Sequence, residues 1–153
     1  GNHGSFPSAG HKRLARRSVN FRLLQEGLAF PTFYDGLFYD LRELFARETD
    51  KARREKRGLW AVDQSNKLME INSLADITDS IVVLPKLFRR MVAYFQDRLL
   101  FNPLEFLRFI DEKNERLLIL KHLHFTHLED VLEVNANGQM KMVEKPEELV
   151  FMA

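Results

Sequence analysis

Hydrophobic positions along the chain change their period several times, and each change marks an element. Val19 to Glu26 is a short run of helical period, stopped by Gly27. A glycine after the last periodic residue ends a helix because it accepts the left-handed conformation. Leu28 to Tyr34 reads LAFPTFY, dense in aromatics and interrupted by Pro31. Proline cannot donate into a central ladder, so this stretch is expected at a sheet edge. Asp35 and Gly36 then look like a cap, and a helix is predicted to about Lys56. Leu37, Leu41 and Leu44 share one face, widened by Phe38 and Phe45. Beyond Phe45 the stripe thins to Ala46 and Ala52, and Glu43–Arg47 and Asp50–Arg54 take the favourable i,i+4 order. That half is expected to be a solvated surface helix. Gly58-Leu59-Trp60 closes it, and Trp60 is expected to plug the gap between the helix end and the body of the domain.

Residues 62–80 are polar and weakly patterned, and read as a connector. Ile81 to Leu84 is a short apolar run stopped by Pro85, which suits the first turn of a helix. Leu87, Phe88, Met91, Val92 and Phe95 give that helix its apolar face, with Arg89, Arg90 and Gln96 outside. Asn102-Pro103 is a helix start, with Asn as cap and Pro at the first position. Leu104, Phe106, Leu107 and Ile110 form its stripe, ending near Asn114. The period then shortens. Leu117–Leu120 and Val131–Val134 are continuous apolar runs, and Asn135–Gly138 is a turn signal. Met140, Met142 and Val150 alternate after it, and Pro146 marks a turn before a final strand, LVFM. The expected class is α+β, with helices followed by a small antiparallel sheet.

Charge modifies this picture little. The 153 residues carry a net charge of +1, so there is no overall pull toward nucleic acid. The distribution is uneven: Lys12, Arg13, Arg16, Arg17 and Arg22 make the start basic, and Glu129, Asp130, Glu133, Glu144, Glu147 and Glu148 make the end acidic. Residues 1–17 read as a flexible, basic segment. The absence of cysteine excludes disulfides and thiol chemistry. No apolar stretch approaches the ~20 residues a spanning helix needs, so no membrane partner is expected.

Phosphate-loop, dinucleotide, zincin and calcium-hand patterns are absent. His122, His124 and His127 form H-x-H-x-x-H. On a strand the first two would share a face and the third could come round at a bend, making them candidate metal ligands. The spacing matches no standard ligand signature, and local hydrogen bonding or solvent exposure is the simpler reading. No base is placed beside Thr126 or Ser80, so a nucleophilic triad has no support.

One stretch carries a family resemblance. Val19-Asn20, Leu23-Leu24, Gln25-Glu26-Gly27-Leu28-Ala29 and a charged helix ending Arg54-Glu55-Lys56-Arg57-Gly58-Leu59-Trp60 follow one another in order. This resembles the C-terminal half of the staphylococcal-nuclease (thermonuclease-like) family, over about a third of the chain. Pro31 to Phe45 is closer to a bacterial subgroup than to the type enzyme. The resemblance implies an OB-like barrel carrying helices and calcium-dependent phosphodiester hydrolysis in DNA and RNA. It divides the chain into residues 18–63, the remnant of the nuclease domain, and 74–153, an appended α+β domain.

The family's calcium aspartates, its glutamate and its phosphate arginines precede the Val-Asn motif. The 18 residues before Val19 contain no Asp or Glu. A calcium site needs several oxygen ligands, so the implied calcium has no ligands here and the chain alone is expected to be inactive. Two functions stay open. One is a fragment of a nuclease whose catalytic half is supplied by missing upstream sequence or a second copy. The other is a non-catalytic module binding nucleic acid or protein. OB-type folds hold single strands with cations and stacking aromatics, which nominates Arg16, Arg17, Arg22, Phe33 and Tyr34. The resemblance places the last two near the nucleotide.

Overall fold

A computed structural model describes residues 18–35 and 39–152. Helix α1 (Val19–Gln25) starts where Phe21 N donates to Ser18 Oγ at 3.1 Å. It ends at Gly27, whose φ is +69°. The next segment leads into a two-residue strand, β1 (Phe33–Tyr34). Helix α2 (Tyr39–Arg54) follows; the expected cap at Gly36 and the stripe residues Leu37 and Phe38 lie outside the described residues. Leu44 is buried, and Phe45 meets Phe21 of α1 at 6.3 Å between ring centroids. The second half of α2 departs from the expected solvated helix. Asp50 and Arg54 do pair at 3.1 Å, but Thr49 and Ala52 are fully buried.

Arg53 shows why. Its guanidinium lies 4.1 Å from the Trp60 ring centroid. Its Nε and Nη2 donate to Glu147 at 3.0 and 2.6 Å. A residue patterned as surface is therefore folded against the last turn of the chain. Trp60 sits in the 3-10 turn Gly58–Ala61 and is buried, with the Phe30 ring edge-on at 5.1 Å. This is the packing expected of it.

Residues 62–80 are no simple connector. Asp63 Oδ1 accepts from Ser65 Oγ at 2.7 Å, and Ser65 Oγ accepts from Leu84 N at 2.9 Å. Met69 exchanges backbone hydrogen bonds with Met140 at 2.7 and 3.0 Å. Helix α3 (Leu74–Ser80) opens with a capping box between Ser73 and Asp76 and buries Ile77. Polar residues here cap and bracket, while Met69, Ile71 and Ile77 enter the core.

Helix α4 (Pro85–Tyr94) and helix α5 (Pro103–Asp111) begin at their prolines, and Asn102 Oδ1 caps the second by accepting from Glu105 N at 3.1 Å. Tyr94 is fully buried, edge-on to Phe95, Phe101, Phe106 and Phe109 at 5.4–5.7 Å. The strands are β2 (Arg116–Ile119), β3 (His124–His127), β4 (Leu132–Val134), β5 (Met140–Met142) and β6 (Leu149–Phe151). β4 and β5 form a hairpin across the predicted Asn135–Gly138 turn. The other sheet has the order β1-β6-β2-β3. It is mixed rather than purely antiparallel, because β1 joins β6 in parallel, Phe33 opposite Val150 and Tyr34 opposite Phe151. The fold class is α+β, with two small sheets. Among the described residues no helix is long and apolar enough to cross a membrane.

Candidate nucleic-acid interface

β1 is an edge strand, and alternation along it sends its two side chains to opposite faces. Phe33 turns inward and is buried. It does not line the recess that Tyr34 shares. Tyr34 turns outward and stays 42% exposed, its ring 6.3 Å from that of Phe151.

Helix α4 brings cations to this ring. Lys86, Arg89 and Arg90 recur at i, i+3 and i+4, which places them on one side of the helix. With Tyr34 they line an open recess of about 280 Å³. Lys86 Nζ stands 5.8 Å from the Tyr34 ring centroid and 5.3 Å from that of Phe151. Glu115, just before β2, holds two of the cations. Its Oε2 lies 3.0 Å from Lys86 Nζ, and Oε1 accepts from Arg90 Nε at 2.6 Å. Burial alone would push the Glu115 carboxyl up, but hydrogen bonds from Arg90 and Lys86 and their charges hold it below the ordinary range. Arg89 is exposed and has no hydrogen-bond or ion-pair partner among the described residues. Three cations against one carboxylate leave the recess cationic.

The other nominated residues separate from this place. Arg22 is exposed on α1 and does not line the recess. Arg16 and Arg17 lie outside the described residues. Lys86, Arg89 and Arg90 were not nominated from sequence. The signal was present in the basic outer face of the 85–94 helix, but nothing local tied that face to Tyr34.

The three histidines do not converge. His122 and His124 are exposed and belong to no close donor group among the described residues. His127 instead meets Glu129 and Asp130, with donor atoms within 4.8 Å of one another. That grouping is the geometry of a turn. Asp130 Oδ2 accepts from Thr126 Oγ1 at 2.5 Å and from His127 N at 3.2 Å, closing the 3-10 turn Leu128–Val131. Burial raises the Glu129 carboxyl, as do hydrogen bonding to Asp111 and the charges of Asp130 and Asp111. Two carboxylates and an imidazole, with one carboxylate already engaged, do not fit the six to eight oxygens that calcium takes.

Compared with known proteins, the chain matches no family model, no curated protein and no solved structure.

Proposed function

We propose that this chain binds single-stranded nucleic acid, with an unpaired base stacked on Tyr34 and the adjoining phosphates held by Arg89, Lys86 and Arg90. One observation carries the reading: an exposed aromatic ring at a sheet edge shares a recess with three cations, one of them unpartnered among the described residues. A stacking platform inside a cationic groove is how sequence-tolerant single-strand binding is built. We further read residues 18–63 as the C-terminal part of a thermonuclease-like, OB-derived phosphodiesterase domain. The proximity of Gly27 and Gly58 supports this, because it brings the Gly-Leu-Ala and Gly-Leu-Trp segments together.

The test is fluorescence anisotropy of a labelled oligonucleotide, single-stranded against duplex, over a salt series. Single strands bind more tightly, and Tyr34→Ala weakens them by about 1–3 kcal/mol, the worth of one stacked base. Arg89→Ala lowers the salt slope by about one. Binding indifferent to both substitutions removes the proposal. A second reading, a protein-binding module, draws on Leu99, Leu100 and Leu104, which are 90%, 75% and 60% exposed. It gains if oligonucleotides fail to bind.

A further inference from the structure

We propose that a second recess, between α2 and the 3-10 turn Leu120–His122, binds the phosphate ester of a hydroxylated small molecule. Arg42, Glu43, Ala46 and Arg47 fall at i, i+1, i+4 and i+5, so they occupy one side of α2. Facing them are Leu120, Lys121 and Glu148, and the open space between measures about 340 Å³.

The donors are in excess. Arg42 Nε is buried without a hydrogen-bond partner. Arg47 has no ion pair or hydrogen bond among the described residues. Lys121 Nζ pairs with Glu144 Oε2 at 3.1 Å, and an ammonium has three donors, so it stays anchored with capacity to spare. Guanidinium groups match the paired oxygens of phosphate, and Arg42, Arg47 and Lys121 outnumber the two lining carboxylates, Glu43 and Glu148.

The carboxylates narrow the ligand class. Glu148 has no ion-pair partner among the described residues. It repels a bare anion but accepts hydrogen bonds from hydroxyl groups. Ala46 and Leu120 supply an apolar wall for a carbon skeleton. The space also exceeds what one phosphate fills. Phosphate at the arginines, hydroxyls at Glu148 and carbon against Ala46 and Leu120 together describe a phosphorylated polyol. The Tyr34 recess shares none of these residues, so the two sites stand or fall separately.

The experiment titrates the full chain calorimetrically with ribose 5-phosphate, inorganic phosphate and ribose. Ribose 5-phosphate is expected to bind saturably and roughly tenfold more tightly than inorganic phosphate. Ribose gives no heat. Arg42→Gln and Arg47→Ala each weaken ribose 5-phosphate by roughly tenfold, the worth of one charge-assisted contact. Glu148→Gln keeps phosphate binding. Circular dichroism checks the fold, and the exposed Arg47 is the variant least able to disturb it. No saturable binding of ribose 5-phosphate, equal affinity for inorganic phosphate, or binding unchanged in both arginine variants overturns the proposal.

Discussion

Gly27 and Gly58 meet backbone to backbone. A Cβ on Gly58 would stand 2.3 Å from the Gly27 carbonyl oxygen, and a Cβ on Gly27 would stand 2.1 Å from the Arg57 carbonyl oxygen. Both glycines have positive φ, +69° and +52°. The same carbonyl of Gly27 accepts from Leu59 N at 2.8 Å. This contact ties the end of α1 to the turn that holds Trp60. Gly27→Ala or Gly58→Ala must move backbone on one side or the other. Each is expected to cost about 3 kcal/mol or more, as overpacking and left-handed strain add. Urea unfolding measures it, and a loss below about 1 kcal/mol would show that the two segments part easily.

Trp60→Ala is expected to lose about 3–5 kcal/mol, a large share of a domain's stability. Trp60→Phe separates volume from polarity. The indole Nε1 is buried without a hydrogen-bond partner among the described residues, so phenylalanine removes an unsatisfied donor while keeping most of the ring. Its loss is expected to be less than half that of alanine, by the same denaturant measurement.

Glu147 is 2% exposed at its side chain and Arg53 18%. Glu147→Ala leaves Arg53 only its longer ion pair with Asp63, at 3.7 Å, and is expected to cost about 3 kcal/mol. The double variant Arg53→Met with Glu147→Leu is expected to recover part of that, because the Arg53–Glu147 pair is gone while Asp63 keeps its hydrogen bond from Ser65. A double-mutant cycle tests this. Additive losses would mean that the pair is not coupled.

Glu115 links the Tyr34 recess to pH. Its carboxyl is held below the ordinary range in the folded state. The folded chain therefore binds fewer protons than the unfolded one as pH falls into the acid range. The stabilisation is fully present above the unfolded carboxylate value and is lost as pH drops through the folded one. Thermal unfolding between about pH 3 and 6 should show a steep acid limb that Glu115→Gln flattens. An identical limb in the variant would assign it to other carboxylates.

Calcium should leave single-stranded DNA uncut by this polypeptide. The described donor grouping does not fit the ion, and the basic N-terminal segment carries no carboxylate side chain. Calcium-stimulated cleavage by the purified chain would place the ligands among carboxylates read as surface.

Local chemistry was legible in the sequence. Gly27 as a helix stop, Pro85 and Asn102-Pro103 as starts, and the Asn135–Gly138 hairpin all rest on residues within a few positions of one another. Their backbone angles and caps are decided inside one turn, so the chain order carries the information. The recess at Tyr34 was not legible in the same way. Residue type nominates both Phe33 and Tyr34 for stacking, and only the parallel pairing with Val150 and Phe151 decides which one is buried. A two-residue strand has too few backbone hydrogen bonds to specify its own partner, so the distant β6 chose for it. Arg53 and Arg90 follow the same logic. Arg53 lies on the half of its helix expected to be solvated and Arg90 on an outward face, yet Glu147, 94 residues away, and Glu115, 25 residues away, fold against them. Charge pairing in three dimensions depends on the distance between side chains, and sequence separation does not set that distance once the chain has folded back on itself.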